Sequence, residues 1–169
     1  MSEQISVVTR LKFYLAERMF HSSALKGSRL RHRWIMAWFK QAASEGHLKA
    51  QSMYGHLLYF RGASPVDKGQ GANYLLDAAK RGDAKAQYQI ACIYETGFGH
   101  LQKNYENAVR WFVKAAEQGH PLACRKMADA CEQGKLGLAV NPDQVQYWQQ
   151  KIHRSLENTS GMTLSQSVS

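Results

Sequence analysis

A ten-residue pattern recurs three times at nearly constant spacing, and it constrains this chain more than any other feature. Trp38 to His47, Tyr74 to Asp83 and Trp111 to His120 superimpose without gaps. Each copy opens with an aromatic residue, carries a double alanine, and places a glycine eight residues after the aromatic. A further alanine follows each copy, at Ala50, Ala86 and Ala123. The steps between copies are 36 and 37 residues, and a fading fourth copy puts Trp148 another 37 residues on, with Ile152 in the first alanine column. A period in this range marks stacked supersecondary units, none of which can bury its apolar face alone.

The columns describe a helix–turn–helix unit. Asp67, Asn104 and Asn141 lie seven residues before the aromatic, where a side chain can cap free helix N–H groups. Pro142 follows Asn141 at the first helical position, where a missing N–H costs nothing. The second helix then runs to the double alanine and stops at Gly46, Gly82 or Gly119, suited to the left-handed residue that ends many helices. His47, Asp83 and His120 come next as caps of the following helix, whose stripe is Ala86, Ile90, Ile93 and Tyr94 in the clearest copy. These helices end at Gly62, Gly97 and Gly134. Small residues in the alanine columns let paired helices approach closely. The Trp/Tyr column, Trp111 included, is expected to wedge between hairpins as core.

Residues 5–27 read as a degenerate first helix with Ile5, Val8, Leu11, Leu15, Met19 and Phe20 on one apolar face. Residues 1–155 therefore form one repeat domain, with residues 1–30 as its degenerate helical start and 31–155 as recognisable repeats. Residues 156–169 are polar and Ser/Thr-rich and are expected to be a disordered tail. The expected fold class is all-α, without strands: a short right-handed α/α superhelix of about four helix–turn–helix repeats.

The run from Ala86 to Gly97, Ala-x-x-x-Ile-Ala-x-x-Tyr-x-x-Gly, followed by Ala108-x-x-Trp111-Phe112-x-Lys114-Ala115-Ala116-x-x-Gly119-His120, resembles the Sel-one-like repeat (SLR). That family is related to the tetratricopeptide repeat. The resemblance spans about residues 31–155 and implies an α/α superhelix that serves as an adaptor or scaffold. Gly71 and Val145 stand where the family usually has alanine, and Cys131 replaces the repeat tyrosine. The cysteine pair that bridges each hairpin in secreted relatives is missing from this pattern.

The cysteine count agrees: three is odd, and Cys124 and Cys131, seven residues apart on one helix, are too distant to pair. No stretch of membrane-spanning length lacks charge, and Arg10, Lys12, Glu17 and Arg18 interrupt every apolar run near the N-terminus. A cytoplasmic location is expected. Charge is uneven. Residues 1–40 hold eight Lys/Arg against Glu3 and Glu17, so +6 of the net +9 sits in that quarter of the chain.

Catalytic patterns lack their partners. Ser23-x-x-Lys26 has no Ser-Asp-Asn or Lys-Thr-Gly to complete a penicillin-recognising site, and Gly97-Phe98-Gly99 has no Lys-Ser/Thr behind it to hold phosphate. His120, Cys124 and Cys131 could share a helix face, but capping accounts for His120 more simply, and structural zinc needs four ligands. No enzyme activity, cofactor or metal is expected.

A partner surface follows from the helical period. Opposite the core stripe of each first helix lie Ser52, His56 and Tyr59, then Tyr88, Cys92 and Glu95, then Arg125, Asp129 and Glu132. In relatives of this architecture that side lines a concave groove, so these nine residues form the expected ridge for a protein or peptide partner. Aromatic residues there suit recognition. The alternative reading uses the basic cluster Lys26, Arg29, Arg31 and Arg33 to hold an anionic surface, nucleic acid or membrane. Nucleic acid is disfavoured, because no stacking platform or recognition helix accompanies the cluster.

Overall fold

The computed structural model describes residues 6–21 and 29–165; for residues 29–32, 156 and 158–165 only the backbone is considered. Among the described residues eight helices follow one another: α1 (Val7–His21), α2 (Arg29–Ser44), α3 (Leu48–Arg61), α4 (Pro65–Lys80), α5 (Ala84–Thr96), α6 (Tyr105–Glu117), α7 (Pro121–Gln133) and α8 (Pro142–Ser165). Among the described residues no strand occurs; Phe98 and Leu101 make an isolated bridge. This is the all-α helical repeat class that the periodicity requires. Helix α8 continues past Leu156, where the repeat pattern ends. The chain divides into two compact units, residues 1–83 and 84–169.

In the first unit α1 packs on α2, α2 on α3 and α3 on α4. Its core joins Phe13 and Ala16 of α1 to Ile35, Phe39, Ala42 and Ala43 of α2 and to Ala50, Tyr54, Leu57 and Leu58 of α3. The second unit repeats the scheme, α5 on α6, α6 on α7 and α7 on α8, around Phe112, Ala115, Ala116, Ala123, Met127 and Trp148. Every alanine of the double-alanine columns and of the column after them is buried. A larger side chain at any of them would force neighbouring helices apart.

The helix ends follow the sequence grammar with one exchange. Gly46, Gly82 and Gly119 all take positive φ, at 81°, 98° and 80°, so each closes its helix in the left-handed conformation that only glycine adopts without strain. Asn104 caps α6 through Asn107 N–H, and Asn141 accepts from Gln144 N–H at 3.1 Å. Asp67, expected to cap α4, does not. Ser64 is the cap residue, and Asp67 sits three positions inside, returning a bond to the Ser64 N–H in a reciprocal capping box. The Ser64-Pro65 pair sets the start one turn earlier than the Asn column suggests.

Two packing expectations are corrected. Trp111 is not the core wedge: it is half-buried, with Lys114 Nζ 4.6 Å above its ring. The fully buried column is the next one, Phe39, Leu75 and Phe112. Only in the last copy does the aromatic itself go inside, where Trp148 is buried with its indole N–H unpartnered. The second correction concerns α1, whose inner face is Thr9, Phe13 and Ala16, with Met19 and Phe20 partly buried. Val8, Leu11 and Leu15 point outward, and Ile5 lies outside the described residues. Ring packing decides this orientation: Phe13 lies 5.7 Å from Phe39 and 4.2 Å from His47, and Phe20 meets Phe39 edge-on at 6.0 Å.

His47 carries a testable pH dependence. Its Nδ1 accepts the Ala50 N–H at 3.2 Å, capping α3, and a protonated ring could not accept. Burial, with Arg10 adding like charge, holds its pKa below the ordinary histidine value, against the smaller pull of Glu17; Lys49 adds further repulsion. A lowered folded-state pKa means the unfolded chain binds the proton more tightly. The contribution is therefore complete above the unfolded pKa and lost as pH falls through the folded one. His47→Asn keeps a cap acceptor without the titration. In denaturant melts the wild type should lose more stability than His47→Asn between about pH 7.5 and pH 5. Equal losses would remove His47 from the acid response.

Candidate functional site

The nine expected ridge residues lie on α3 in the first unit and on α5 and α7 in the second, at three repeat columns. The first column is structural on α3 and α5. Ser52 is buried, and its hydroxyl donates to Asp83 Oδ1 at 2.8 Å. In the second unit Tyr88 holds the same column and stacks on His120, centroids 4.8 Å apart and planes 19° from parallel, with Phe112 at 5.7 Å. Asp83 and His120 share a repeat position, so in each unit this column clasps the turn that begins the following hairpin. Burial pushes the Tyr88 hydroxyl up to about 12, with Cys92 beside it contributing.

A second polar clasp runs alongside. Arg81 donates to Gln51 Oε1 at 2.8 Å and to the Gly46 carbonyl at 2.6 Å. One repeat later Gln118 Nε2 donates to Gln87 Oε1 at 2.7 Å. The sequence period does not reveal these pairs, because Gln51 and Gln87 look like ordinary surface glutamines until the turn folds over them.

The remaining two columns face outward to different extents. On α3, His56 is exposed and packs against Phe60 at 4.6 Å, while Tyr59 meets the same Phe60 ring edge-on at 4.9 Å. Spacings of three and four residues put these rings on one side of the helix. Phe60 itself is 53 % exposed. It was not singled out by the period, which places it one residue beyond the ridge column; its ring leans back over His56. Partial desolvation by the neighbouring rings, with Arg61 adding like charge, lowers the His56 pKa from the ordinary histidine value.

On α5, Cys92 is half-buried and burial pushes its thiol up, away from a reactive thiolate. Glu95 pairs with Lys126 of α7 at 2.8 Å, and Lys126 also reaches over the Phe112 ring at 5.9 Å. Arg125, Asp129 and Glu132 are exposed along α7. Cys124 donates to the Ala116 carbonyl at 3.4 Å, and His120 Nδ1 accepts the Ala123 N–H at 3.3 Å, so both residues have structural tasks. In the basic cluster, Lys26 and the side chains of Arg29 and Arg31 lie outside the described residues; Arg33 is exposed on α2.

Known proteins resemble this arrangement at three levels. Chitin synthase regulatory factor 3 of Schizosaccharomyces pombe is 28% identical over 113 residues, covering 64% of this chain and 12% of that protein. A Sel1 repeat protein from Oxalobacter formigenes superimposes with a TM-score of 0.70 at 27% identity, covering 87% of this chain and 41% of the other. A protective antigen of uropathogenic Escherichia coli displaying an SLR fold gives 0.72 at 26% identity, over 86% of this chain and 30% of that one. The chain thus spans about an eighth of the fungal regulator's length and less than half of either solved structure. No described helix is long and apolar enough to cross a membrane. With Sel1 repeats matched at residues 36–47, 48–83, 84–120 and 121–150, more than half of its length, the chain belongs to the Sel1 repeat family.

Proposed function

We propose that this chain is a non-enzymatic adaptor that holds a protein or peptide partner on the outer faces of its first helices, with His56, Tyr59 and Phe60 of α3 as the anchor. Sel1 repeats mediate protein–protein interactions, and the fungal relative is itself a regulatory factor. The observation that carries the reading is the ring cluster: a histidine and a tyrosine packed around a half-exposed phenylalanine. Such a cluster is already ordered by its own contacts, so a partner that covers it gains aromatic burial at little entropic cost. On the second unit, Asp129 and Glu132 offer carboxylates that suit basic groups of a ligand. Three unpaired cysteines, two of them buried, fit a reducing compartment such as the cytoplasm.

The test combines capture with a stability control. His56→Ala/Phe60→Ala should leave the denaturant midpoint nearly unchanged, within about 1 kcal/mol, because both side chains are exposed. The same change should weaken retention of the native partner by about 30-fold, as truncation of central aromatic anchors commonly does. Arg33→Gln should keep that partner bound. Retention by the double variant, or loss by Arg33→Gln alone, would overturn the assignment to α3.

A further inference from the structure

Helix α1 is apolar on two sides, and among the described residues only one of them is packed. Phe13 and Ala16 go into the core, while Val7, Leu11, Tyr14 and Leu15 recur at i, i+4, i+7 and i+8 on the side away from it, with Val8 beside them. Val7 is 80 %, Leu11 61 % and Tyr14 70 % exposed. With side chains of this size, the stripe presents roughly 500 Å² of apolar surface, at the scale that marks an interaction site.

The charges around the stripe say what covers it. Arg10 and Arg18 are exposed beside it, and His21 ends the helix, while Lys12 turns to α2, where it donates to Gln41 Oε1 at 3.2 Å. The first turn holds no acidic residue, and Glu17, the one carboxylate of α1, is engaged by Lys49 of α3 at 2.6 Å. The surface is therefore apolar and cationic together. A second copy fits it poorly: antiparallel pairing of two α1 helices about Tyr14 sets Arg10 of each against Arg18 of the other. A bilayer with anionic headgroups suits both features. Aliphatic side chains and a tyrosine enter the acyl boundary while arginines remain at headgroup level. The helix is convex, so it needs no groove from its partner, and at fifteen residues it is too short to span.

We propose that α1 docks this protein, in the plane of the interface, on membranes rich in anionic lipid. This goes beyond partner binding and uses a different helix from it. The face binds by adsorption, combining apolar burial with phosphate attraction, and so depends on both.

Co-sedimentation of the full chain with vesicles tests this. Vesicles of phosphatidylcholine with about 30 % phosphatidylserine should retain the protein, and pure phosphatidylcholine vesicles should not. Raising salt from about 50 to about 200 mM should weaken binding several-fold. Leu11→Ser/Tyr14→Ser should lose binding at least about 10-fold with an unchanged thermal melt, because both residues are exposed. Arg10→Gln/Arg18→Gln should lose it too, whereas His56→Ala/Phe60→Ala should bind vesicles as the wild type does, which separates this proposal from the partner site. The Tyr14→Trp variant adds a fifth tryptophan and should show a larger blue shift of emission on anionic vesicles than the wild type does. Absence of binding, equal binding to both vesicle types, or full binding by Leu11→Ser/Tyr14→Ser would overturn the proposal. So would a dimer in sedimentation equilibrium that Leu11→Ser/Tyr14→Ser dissolves, since the stripe would then belong to a second copy.

Discussion

Phe112→Ala should lower the stability of the protein by about 3–5 kcal/mol, the usual cost of emptying a fully enclosed aromatic site. Phe112 has no exposed surface and lies among Ala115, Ala116, Ala123 and Met127, with Tyr88 and Lys126 closing over it from α5 and α7. Those neighbours belong to three helices whose approach is fixed by alanines, so the site has little room to collapse. Trp111→Ala, one residue away, removes a larger ring but one already half in solvent beneath Lys114. Its cost should be smaller by at least about 1.5 kcal/mol. Urea melts of both variants decide the matter: equal losses would mean that the tryptophan column and the phenylalanine column share the core.

That pair of residues illustrates what the sequence reveals and what it hides. Alanine and glycine columns are legible because each admits a single residue type for a steric reason: a close helix approach, or a positive φ. The histidine and asparagine caps are legible because their position relative to a helix start is a local property. The aromatic columns are different. Trp111 and Phe112 are adjacent and both large, and a helical period of 3.6 residues separates their directions by only about 100°. Which of them faces inward depends on how far the neighbouring hairpin rotates, and that is decided by side chains some thirty residues away. Helix α1 shows the same limit more sharply. Its apolar residues fill two faces, so periodicity alone points to the wider one, Val8, Leu11 and Leu15, while Phe13 finds Phe39 and His47 only in the folded hairpin.

The candidate partner face divides on the same principle. His56 and Tyr59 are placed on an outer face by the helical period, and the folded chain keeps them there with Phe60. Ser52 and Tyr88 satisfy the same period yet are occupied by Asp83 and His120. A residue on the outer side of a first helix is accessible only if the next repeat's turn does not close over it. The turn reaches the first column and stops short of the second and third. The repeat therefore uses one column of α3 and α5 for cohesion and leaves the other two outside that contact.

Gly71→Ala should destabilise the protein although it restores the residue that the repeat family usually carries there. A Cβ on Gly71 would lie 2.5 Å from the Tyr59 backbone nitrogen and 2.8 Å from the Gly55 carbonyl oxygen, both main-chain atoms of α3 that no rotamer change can move. Gly55 is the reciprocal half of the contact, its own Cβ position 3.0 Å from the Gly71 carbonyl oxygen and the Leu75 nitrogen. One repeat on, the same two columns hold Ala91 and Ala108, both fully buried. The two hairpins thus pair like with like, glycine with glycine and alanine with alanine, and an alanine opposite Gly55 meets main chain that leaves it no room. Overpacking of this kind costs about 1–3 kcal/mol, against which alanine recovers up to about 1 kcal/mol of helix propensity. The net loss should reach about 1–2 kcal/mol. Gly69, two residues earlier in α4, is the control. A Cβ there meets nothing within 4 Å, so Gly69→Ala should stabilise by about 0.5–1 kcal/mol through chain entropy alone. Opposite signs from two glycines in one helix would show that the close approach of α3 and α4 sets the identity of Gly71. A stabilised Gly71→Ala variant would mean that the helices separate freely and that the glycine pair has no packing role.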